Sequence, residues 1–401
     1  NAFALPGGPI FVTRGLLALV RSEDELAGVL AHEVAHVAAR HSVRQVTAAT
    51  PLAVLFGLPA AIVGSVSRPL GSLVALPGAL VSKLALSAYG RDQEYEADRL
   101  GAELVRAVGL SPLGLAGLLE RLAREEALHR EGPQPLSFFS SHPRTPDRME
   151  QVRAHARELD GAPPPRSAPA LALERLDGLL IGPSPAQGVF VENDFLHPKL
   201  DIAWRVPEGW THENHPEAVV AIDPASEGRV ALLLQLVGEG DDPAAAAVAE
   251  GLGPEHEKAL RRLEIGGRPA AQLELTRGGD AALLTWLALG GRIYRVVGIC
   301  PVSELGVRHA LFTEAAAALR ALGADDRARI RAARLRLRSP QPGERLEDLV
   351  RRTKSAWSGA ELAVANDLDP EAPLAAGGSL KVPISEPWVG APPVRNEGPG
   401  S

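Results

Sequence analysis

The sequence predicts a multidomain chain: a mainly α region with a small β-hairpin over residues 1–160, an α+β region over 189–325 and a small β-α-α-β region over 326–387. Three observations lead there. The chain has 401 residues, enough for two or three domains. Apolar residues recur at helical spacing early on, as in Leu26, Val29, Leu30, Val34 and Val37, whereas from Leu200 onward strand-like runs dominate. Pro163-Pro164-Pro165 and Gly182-Pro183-Ser184-Pro185 punctuate a linker over 161–188, and residues 388–401 read as a flexible Pro/Gly tail.

Taken in order, Ala2–Leu5 and Ile10–Thr13 flank Pro6-Gly7-Gly8-Pro9 and read as a hairpin. Ser22-Glu23-Asp24-Glu25 resembles a capping box opening a helix over Leu26–Val46. Residues 45–67 and 69–82 carry no charge, but Pro51, Gly57, Pro59 and Gly64 interrupt the first run. A helical hairpin that covers the site or dips into a bilayer surface fits that pattern better than a membrane span. The acidic run Arg91–Gly101 opens a second helix that continues through Leu104 and Val105 and ends near Gly109. Strands follow at Asp201–Trp204, Val219–Ile222, Val230–Val237, Ala270–Leu275, Leu283–Leu289 and Ile293–Ile299, with helices near Pro243–Glu250 and Glu304–Leu322. One antiparallel sheet with helices on a face is the implied layout. The end reads as strand Leu335–Arg338, a helix from Leu346 through Arg352, a helix over Leu362–Leu368 and strand Gly377–Pro383.

The chemistry concentrates in His32-Glu33-Val34-Ala35-His36. On a helix, positions i and i+4 share a face, so the two imidazoles can grip one metal ion, with Glu33 placed to handle a water there. Two histidines leave a catalytic zinc one protein ligand short. Glu94 is the strongest candidate for it. Asp98, four residues on and on the same helix face, can accept the second N–H of a ligand histidine and fix its tautomer. Glu96 points elsewhere and reads as solvated. His41, five residues after His36, falls off the ligand face and reads as structural.

The residues Asn1-Ala2-Phe3-Ala4-Leu5-Pro6-Gly7-Gly8, His32–His36 with Val37-Ala38-Ala39-Arg40-His41, Glu94–Gly101, and Ser141-His142-Pro143 with Arg148 together resemble the HtpX-like and CAAX-prenyl-endopeptidase-like zinc metallopeptidases of peptidase family M48. The likeness spans residues 1–156. It implies a zincin-like (gluzincin) domain in which His32, His36 and Glu94 hold one Zn²⁺ and Glu33 is the general base. It places His142 near the metal, either stabilising the anionic intermediate or occupying the open zinc position in a latent state. Arg148 would neutralise an acid near the site or cap a helix. The hairpin strand Asn1, Ala2, Phe3 and Ala4 would be the sheet edge along which an extended peptide lies, since an open edge offers unpaired N–H and C=O groups.

The end of the chain resembles a LysM domain, with Glu344-Arg345 where Asp-Thr is usual, which implies contact with peptidoglycan or another wall glycan. Val206-Pro207-Glu208-Gly209-Trp210 weakly resembles a turn of photosystem oxygen-evolving-complex protein P domains. Arg327, Arg329, Arg331, Arg334, Arg336 and Arg338 read as a solvated face. A net charge of −7 argues against nucleic acid as a partner, and Cys300, the single cysteine, excludes an intrachain disulfide framework. The expectation is a zinc endopeptidase of the bacterial envelope, periplasmic or membrane-associated through a lipid anchor, acting on unfolded or damaged polypeptide. The rival is a latent peptidase fold working as an envelope binding or assembly protein.

Overall fold

The computed structural model describes residues 1–5, 7–41, 44, 89–129, 138–143, 148–160 and 173–390. The charge-poor stretches over 45–82, the proline run at 163–165 and the end of the tail lie outside them. Two compact units result. One holds the described residues through Gly182 together with Ala332–Glu386; the other holds Pro183–Arg331 and the described residues from Pro387.

In the first unit, β1 (Ala2–Ala4) and β2 (Ile10–Val12) form an antiparallel hairpin with Ala2 opposite Val12 and Ala4 opposite Ile10. Gly7 and Gly8 make the turn at φ 97° and 107°, conformations that favour glycine. Helices α1 (Arg14–Leu19), α2 (Glu23–Ala38), α3 (Arg91–Ala107), α4 (Leu113–Leu128), α5 (Phe138–Ser141) and α6 (Arg148–Asp160) follow. Leu16, Val29, Leu118, Leu119 and Phe138 are buried together where α1, α2, α4 and α5 meet. Burying each such side chain contributes about 1.5–3 kcal/mol.

The Ser22 hydroxyl caps α2 by accepting from Glu25 N–H at 3.2 Å. Glu25, however, does not complete a capping box. Its carboxylate accepts from the Arg21 N–H at 2.8 Å and from Arg121 of α4 at 2.7 Å, an ion pair buried at the helix start. Glycines let the helices close up. A Cβ on Gly114 would lie 2.3 Å from the Asp24 carbonyl, and one on Gly101 would lie 3.0 Å from the His32 backbone nitrogen.

The helix read as Leu26–Val46 ends at Ala38. Arg40 takes the left-handed conformation (φ 56°), so the chain turns out of the helix there and brings His41 back beside it. The second helix matches its expected course: α3 stops at Ala107, and Gly109 at φ 80° closes it with a Leu110 N–H bond to the Val105 carbonyl at 3.1 Å.

The β-α-α-β end of the chain folds within this same unit. Strands Leu380–Pro387 and Arg331–Arg338 lie side by side, and Leu180–Ile181, from the segment read as linker, adds a third strand. Helices Leu346–Thr353 and Gly359–Asn366 pack Leu349, Leu362 and Val382 into a small core. Glu344 has a structural partner: its carboxylate takes two bonds from Arg352 at 2.7 and 2.8 Å. Trp357 and Ala365 join the core of α1, α2 and α4. Asp367 pairs with Arg21 at 2.7 Å and Arg124 at 2.5 Å. Lys381 is buried, and its ammonium donates to the carbonyls of Ala18 at 2.5 Å and Val20 at 3.0 Å, at the end of α1.

The second unit carries a seven-stranded antiparallel sheet in the order Arg261–Ile265, Arg268–Arg277, Asp280–Leu289, Arg292–Pro301, Ala231–Glu239, Val219–Ile222, Thr211–Asn214. The strands run longer than their apolar runs suggested because tight glycine pairs, such as Gly266-Gly267 and Gly290-Gly291 with positive φ, carry the pairing to the hairpin ends. Helix Leu305–Ala317 lies on one face, where Phe312 fills the space left by Gly298. The helix expected to reach Leu322 stops at Ala317, because Leu319–Ala321 pairs with Ile202–Arg205 in a second, four-stranded sheet. Strand pairing outweighs the local helix preference there.

The arginine run is not a bare solvated face. Arg327 pairs with Asp201, Arg329 with Asp194, and Arg336 with both Glu386 and Asp177, while Arg334 donates to the Gly178 carbonyl. These side chains are engaged within the fold.

Candidate metal centre

Helix α2 turns His32 and His36 to one face, and α3 crosses it closely enough, through Gly101, to bring Glu94 and Asp98 against them. His142 enters from just beyond α5, held by its N–H bond to the Phe138 carbonyl at 3.0 Å and by stacking on the Phe138 ring at 4.5 Å. His32, His36, Glu94 and His142 each offer one ligand atom, all within 4.8 Å of one another, and all four residues are buried.

The two Nε2 atoms of His32 and His36 face each other at 3.0 Å. Glu94 Oε1 is 3.3 Å from His36 Nε2 and 3.0 Å from His142 Nδ1, which is itself 3.2 Å from His32 Nε2. The far nitrogen of His32, Nδ1, lies 2.9 Å from Asp98 Oδ1. An ionised carboxylate only accepts, so this contact puts the proton on Nδ1 and leaves the Nε2 lone pair for the cluster. Two imidazole lone pairs and a carboxylate, all buried and convergent, suit a divalent cation of the zinc type.

The electrostatics follow from crowding. Burial pushes the Glu94 carboxyl up, but the hydrogen bond from His142 and the closeness of the His36 and His32 rings outweigh it and hold Glu94 far below the usual carboxylate range. Burial also raises Glu33, and His142 beside it brings the net shift downward. His36 is driven down to about 4 by burial, against the pull of Glu94, so its ring is neutral at pH 7. Burial lowers His142 as well, but Glu33 and Glu94 overcome it and raise the ring to about 9.

Glu33 shares the buried pocket, its Oε1 3.2 Å from His142 Nε2. Arg148 reaches in from α6. Its guanidinium makes bonds of 2.7 and 2.9 Å to the two oxygens of Asp98, and it approaches Glu94 Oε2 at 2.5 Å. Asp98 thus meets the His32 ring, and Arg148 meets the carboxylates of Asp98 and Glu94.

Two neighbours were not anticipated. Tyr89 stacks on the His36 ring at 3.9 Å and hydrogen-bonds the Ser141 carbonyl through its backbone N–H at 3.0 Å. His41, read as off the ligand face, is buried with its Nδ1 2.8 Å from His36 Nδ1 and its Nε2 3.1 Å from Glu96 Oε2. Glu96, read as solvated, is therefore a partner of His41. The helical-wheel argument failed because the helix ends before His41. The signal present in the sequence was only the spacing of a third histidine after the motif.

Comparison with known proteins agrees with this centre. Residues 1–156 match the model of peptidase family M48. The chain is 36% identical over 156 residues to the metalloprotease LoiP of Escherichia coli, covering 38% of this chain and 57% of LoiP. It is 34% identical over 152 residues to the mitochondrial metalloendopeptidase OMA1 of Schizosaccharomyces pombe, covering 38% and 42%. It is 30% identical over 166 residues to the beta-barrel assembly-enhancing protease of Yersinia pestis, covering 41% and 34%. The chain thus spans 34–57% of the length of these relatives. Among solved structures, the solution structure of cyanobacterial PsbP (CyanoP) from Synechocystis is matched over 35% of this chain and 98% of its own, at 14% identity and a TM-score of 0.26. The stretch that folds around the four buried donors is thus the one that is similar to peptidase family M48, and the cofactor that goes with that family is zinc.

Proposed function

We propose that this protein is a zinc-dependent endopeptidase acting on extended polypeptide in the bacterial cell envelope. The observation that carries it is the convergence of His32 Nε2, His36 Nε2 and Glu94 Oε1 beside the buried Glu33 carboxylate. Zinc, when bound, supplies a Lewis acid that polarises a carbonyl and makes water a nucleophile near neutral pH. Glu33, in the same buried pocket, would take a proton from the attacking water and pass it to the leaving amine. Its depressed pKa keeps it ionised and ready to accept.

The hairpin supports an extended substrate. Asn1 O accepts from Thr13 N–H, and Leu5 N–H donates to Pro9 O, so the ladder runs through the odd positions. The N–H and C=O groups of Ala2 and Ala4 therefore point away from β2, and no described strand pairs with that side. Ala2 and Ala4 are buried in this structure, so a peptide that adds there as a strand, with main-chain bonds giving affinity and little demand on sequence, must displace what covers this edge. Work on unfolded or damaged envelope proteins fits this mode, and the bacterial relatives include a protease named for β-barrel assembly. No helix among the described residues is long and apolar enough to cross a membrane. For the C-terminal segment, a wall-glycan role rests on its β-α-α-β order and on the LysM-like residues Pro342–Leu346, Asn366–Leu368 and Gly377–Pro383.

A second reading is favoured by one contact: His142 Nδ1 lies inside the donor set, 3.0 Å from Glu94 Oε1. As a fourth protein ligand it would close the open position and make the enzyme latent. Digestion of casein with and without a chelator, by the wild type, Glu33→Gln and His142→Ala, separates the two. The active reading expects chelator-sensitive cleavage that Glu33→Gln abolishes and His142→Ala lowers. Cleavage that rises in His142→Ala supports latency, and silence in every variant with zinc bound removes the endopeptidase reading.

A further inference from the structure

The two histidines of α2 are oriented by different devices. His32 meets Asp98 directly, with Nδ1 2.9 Å from Oδ1. Among the described residues, no carboxylate lies against the Nδ1 of His36. There it meets the Nδ1 of His41 at 2.8 Å, and the other nitrogen of His41 lies 3.1 Å from Glu96 Oε2. His41 is buried, whereas the Glu96 side chain keeps 43% of its surface in solvent and has Arg44 within 3.8 Å.

Proton placement follows from these contacts. An ionised carboxylate only accepts, so His41 carries its proton on Nε2 and donates it to Glu96. A neutral His41 then has its lone pair on Nδ1. Two ring nitrogens 2.8 Å apart need one proton between them, and His36 Nδ1 must supply it. That leaves the lone pair of His36 on Nε2, the atom 3.0 Å from His32 Nε2 and 3.3 Å from Glu94 Oε1.

We infer that Glu96 and His41 form a relay that fixes which nitrogen of His36 faces the zinc, doing at one remove for His36 what Asp98 does for His32. Both are positioning residues. The inference rests on the zinc-site reading above and adds two residues to it. Arg40 makes the relay possible: its left-handed turn returns His41 to the side of α2 that a continuous helix would have denied it. Glu96 is the solvent-exposed end of a chain that terminates at a buried ligand. A change at this surface carboxylate should therefore reach the metal.

The test measures zinc affinity by competition with a chromogenic chelator, on the full chain, alongside ¹⁵N NMR of the imidazole nitrogens. Outer-shell partners of metal-bound histidines are worth about 10–100-fold in affinity. Glu96→Ala should weaken zinc binding about 10-fold, while Glu96→Gln, whose amide oxygen accepts the same bond, should restore most of it. His41→Ala should weaken it further. His41→Asn places an acceptor where Nδ1 was and should recover affinity, and in that background Glu96→Ala should add nothing. Because Glu96 is half-exposed, its variants keep the experiment decisive even if the buried His41 variants fold poorly. If Glu96→Ala holds zinc as tightly as wild type, with the His36 Nδ1–H signal unchanged, while His36→Ala loses the metal, the relay is wrong and the zinc site stands. If wild type itself takes up no zinc, the site reading falls first.

Discussion

Gly101 of α3 and His32 of α2 meet backbone to backbone: a Cβ on the glycine would lie 3.0 Å from the His32 nitrogen and 3.2 Å from its Cα. Three residues before Gly101 stands Asp98, and seven before it Glu94, on the same face of the helix. The absence of a side chain at one position thus sets the distance at which two carboxylates meet two imidazoles. Gly101→Ala should push the helices apart by a few tenths of an ångström and weaken zinc binding, and Gly101→Val should abolish it. Zinc content per chain after gel filtration reads this, and full occupancy in Gly101→Val would refute it.

Glu94→Ala removes a carboxylate from the donor set and one anionic partner of the buried Arg148. Zinc content should fall sharply, whereas Glu33→Gln should keep its zinc and lose cleavage by about 10²–10⁴-fold. Metal analysis and peptide hydrolysis on the same preparations distinguish the two roles. Unchanged occupancy in Glu94→Ala removes Glu94 from the metal's ligands.

Asp98 does two things at once, holding His32 Nδ1 and taking two of the bonds of the Arg148 guanidinium. Asp98→Ala takes one of two anionic partners from the buried Arg148, where loss of a buried partner costs up to about 3–5 kcal/mol. The metal-free protein should therefore melt earlier in Asp98→Ala than in Glu33→Gln, as followed by circular dichroism. Equal melting would mean that Glu94 alone satisfies Arg148.

The outer edge of β1 makes a kinetic prediction. Ala4→Pro deletes an N–H that points away from β2 and leaves the hairpin ladder intact. KM for long unfolded substrates should rise while zinc content stays the same. A lower kcat with constant KM would place the substrate elsewhere.

Lys381 gives the pH dependence. Burial draws its pKa down to about 7, with Arg121 and Arg21 adding to the effect and Glu25 opposing it. The folded protein releases this proton near pH 7, and the unfolded chain only near the ordinary lysine value of about 10.4. Between those values the unfolded state binds more protons, so stability rises with pH; below about 7 both states are protonated and the burial cost is complete. Across that window wild type should gain on Lys381→Met by on the order of 1 kcal/mol per pH unit. Urea midpoints at pH 6 and pH 9 for both proteins check it, and parallel shifts would show that Lys381 stays charged throughout.

What was legible in the sequence was what helix geometry writes locally. His32, Glu33 and His36 declare themselves by spacing, and Glu94 with Asp98 by the same four-residue step. The place of His41 was hidden because it depends on one residue, Arg40, leaving the helix in a left-handed turn that nothing in its chemistry announces. Tyr89 was hidden because its contact with His36 is made between segments far apart in sequence. At the other end, the β-α-α-β order was legible, but the burial of Lys381 was not, since a lysine in a strand reads as a surface residue. Its partners are main-chain carbonyls 361 and 363 residues earlier.

That last separation has a consequence for biosynthesis. The carbonyls at the end of α1 leave the ribosome 361 and 363 residues before the ammonium group that covers them. Until then the Trp357 and Ala365 contacts are also missing. A nascent chain paused midway would carry its histidines and glutamates without the clasp that secures the helices behind them. The end of α1 is thus clasped only after translation has passed residue 381.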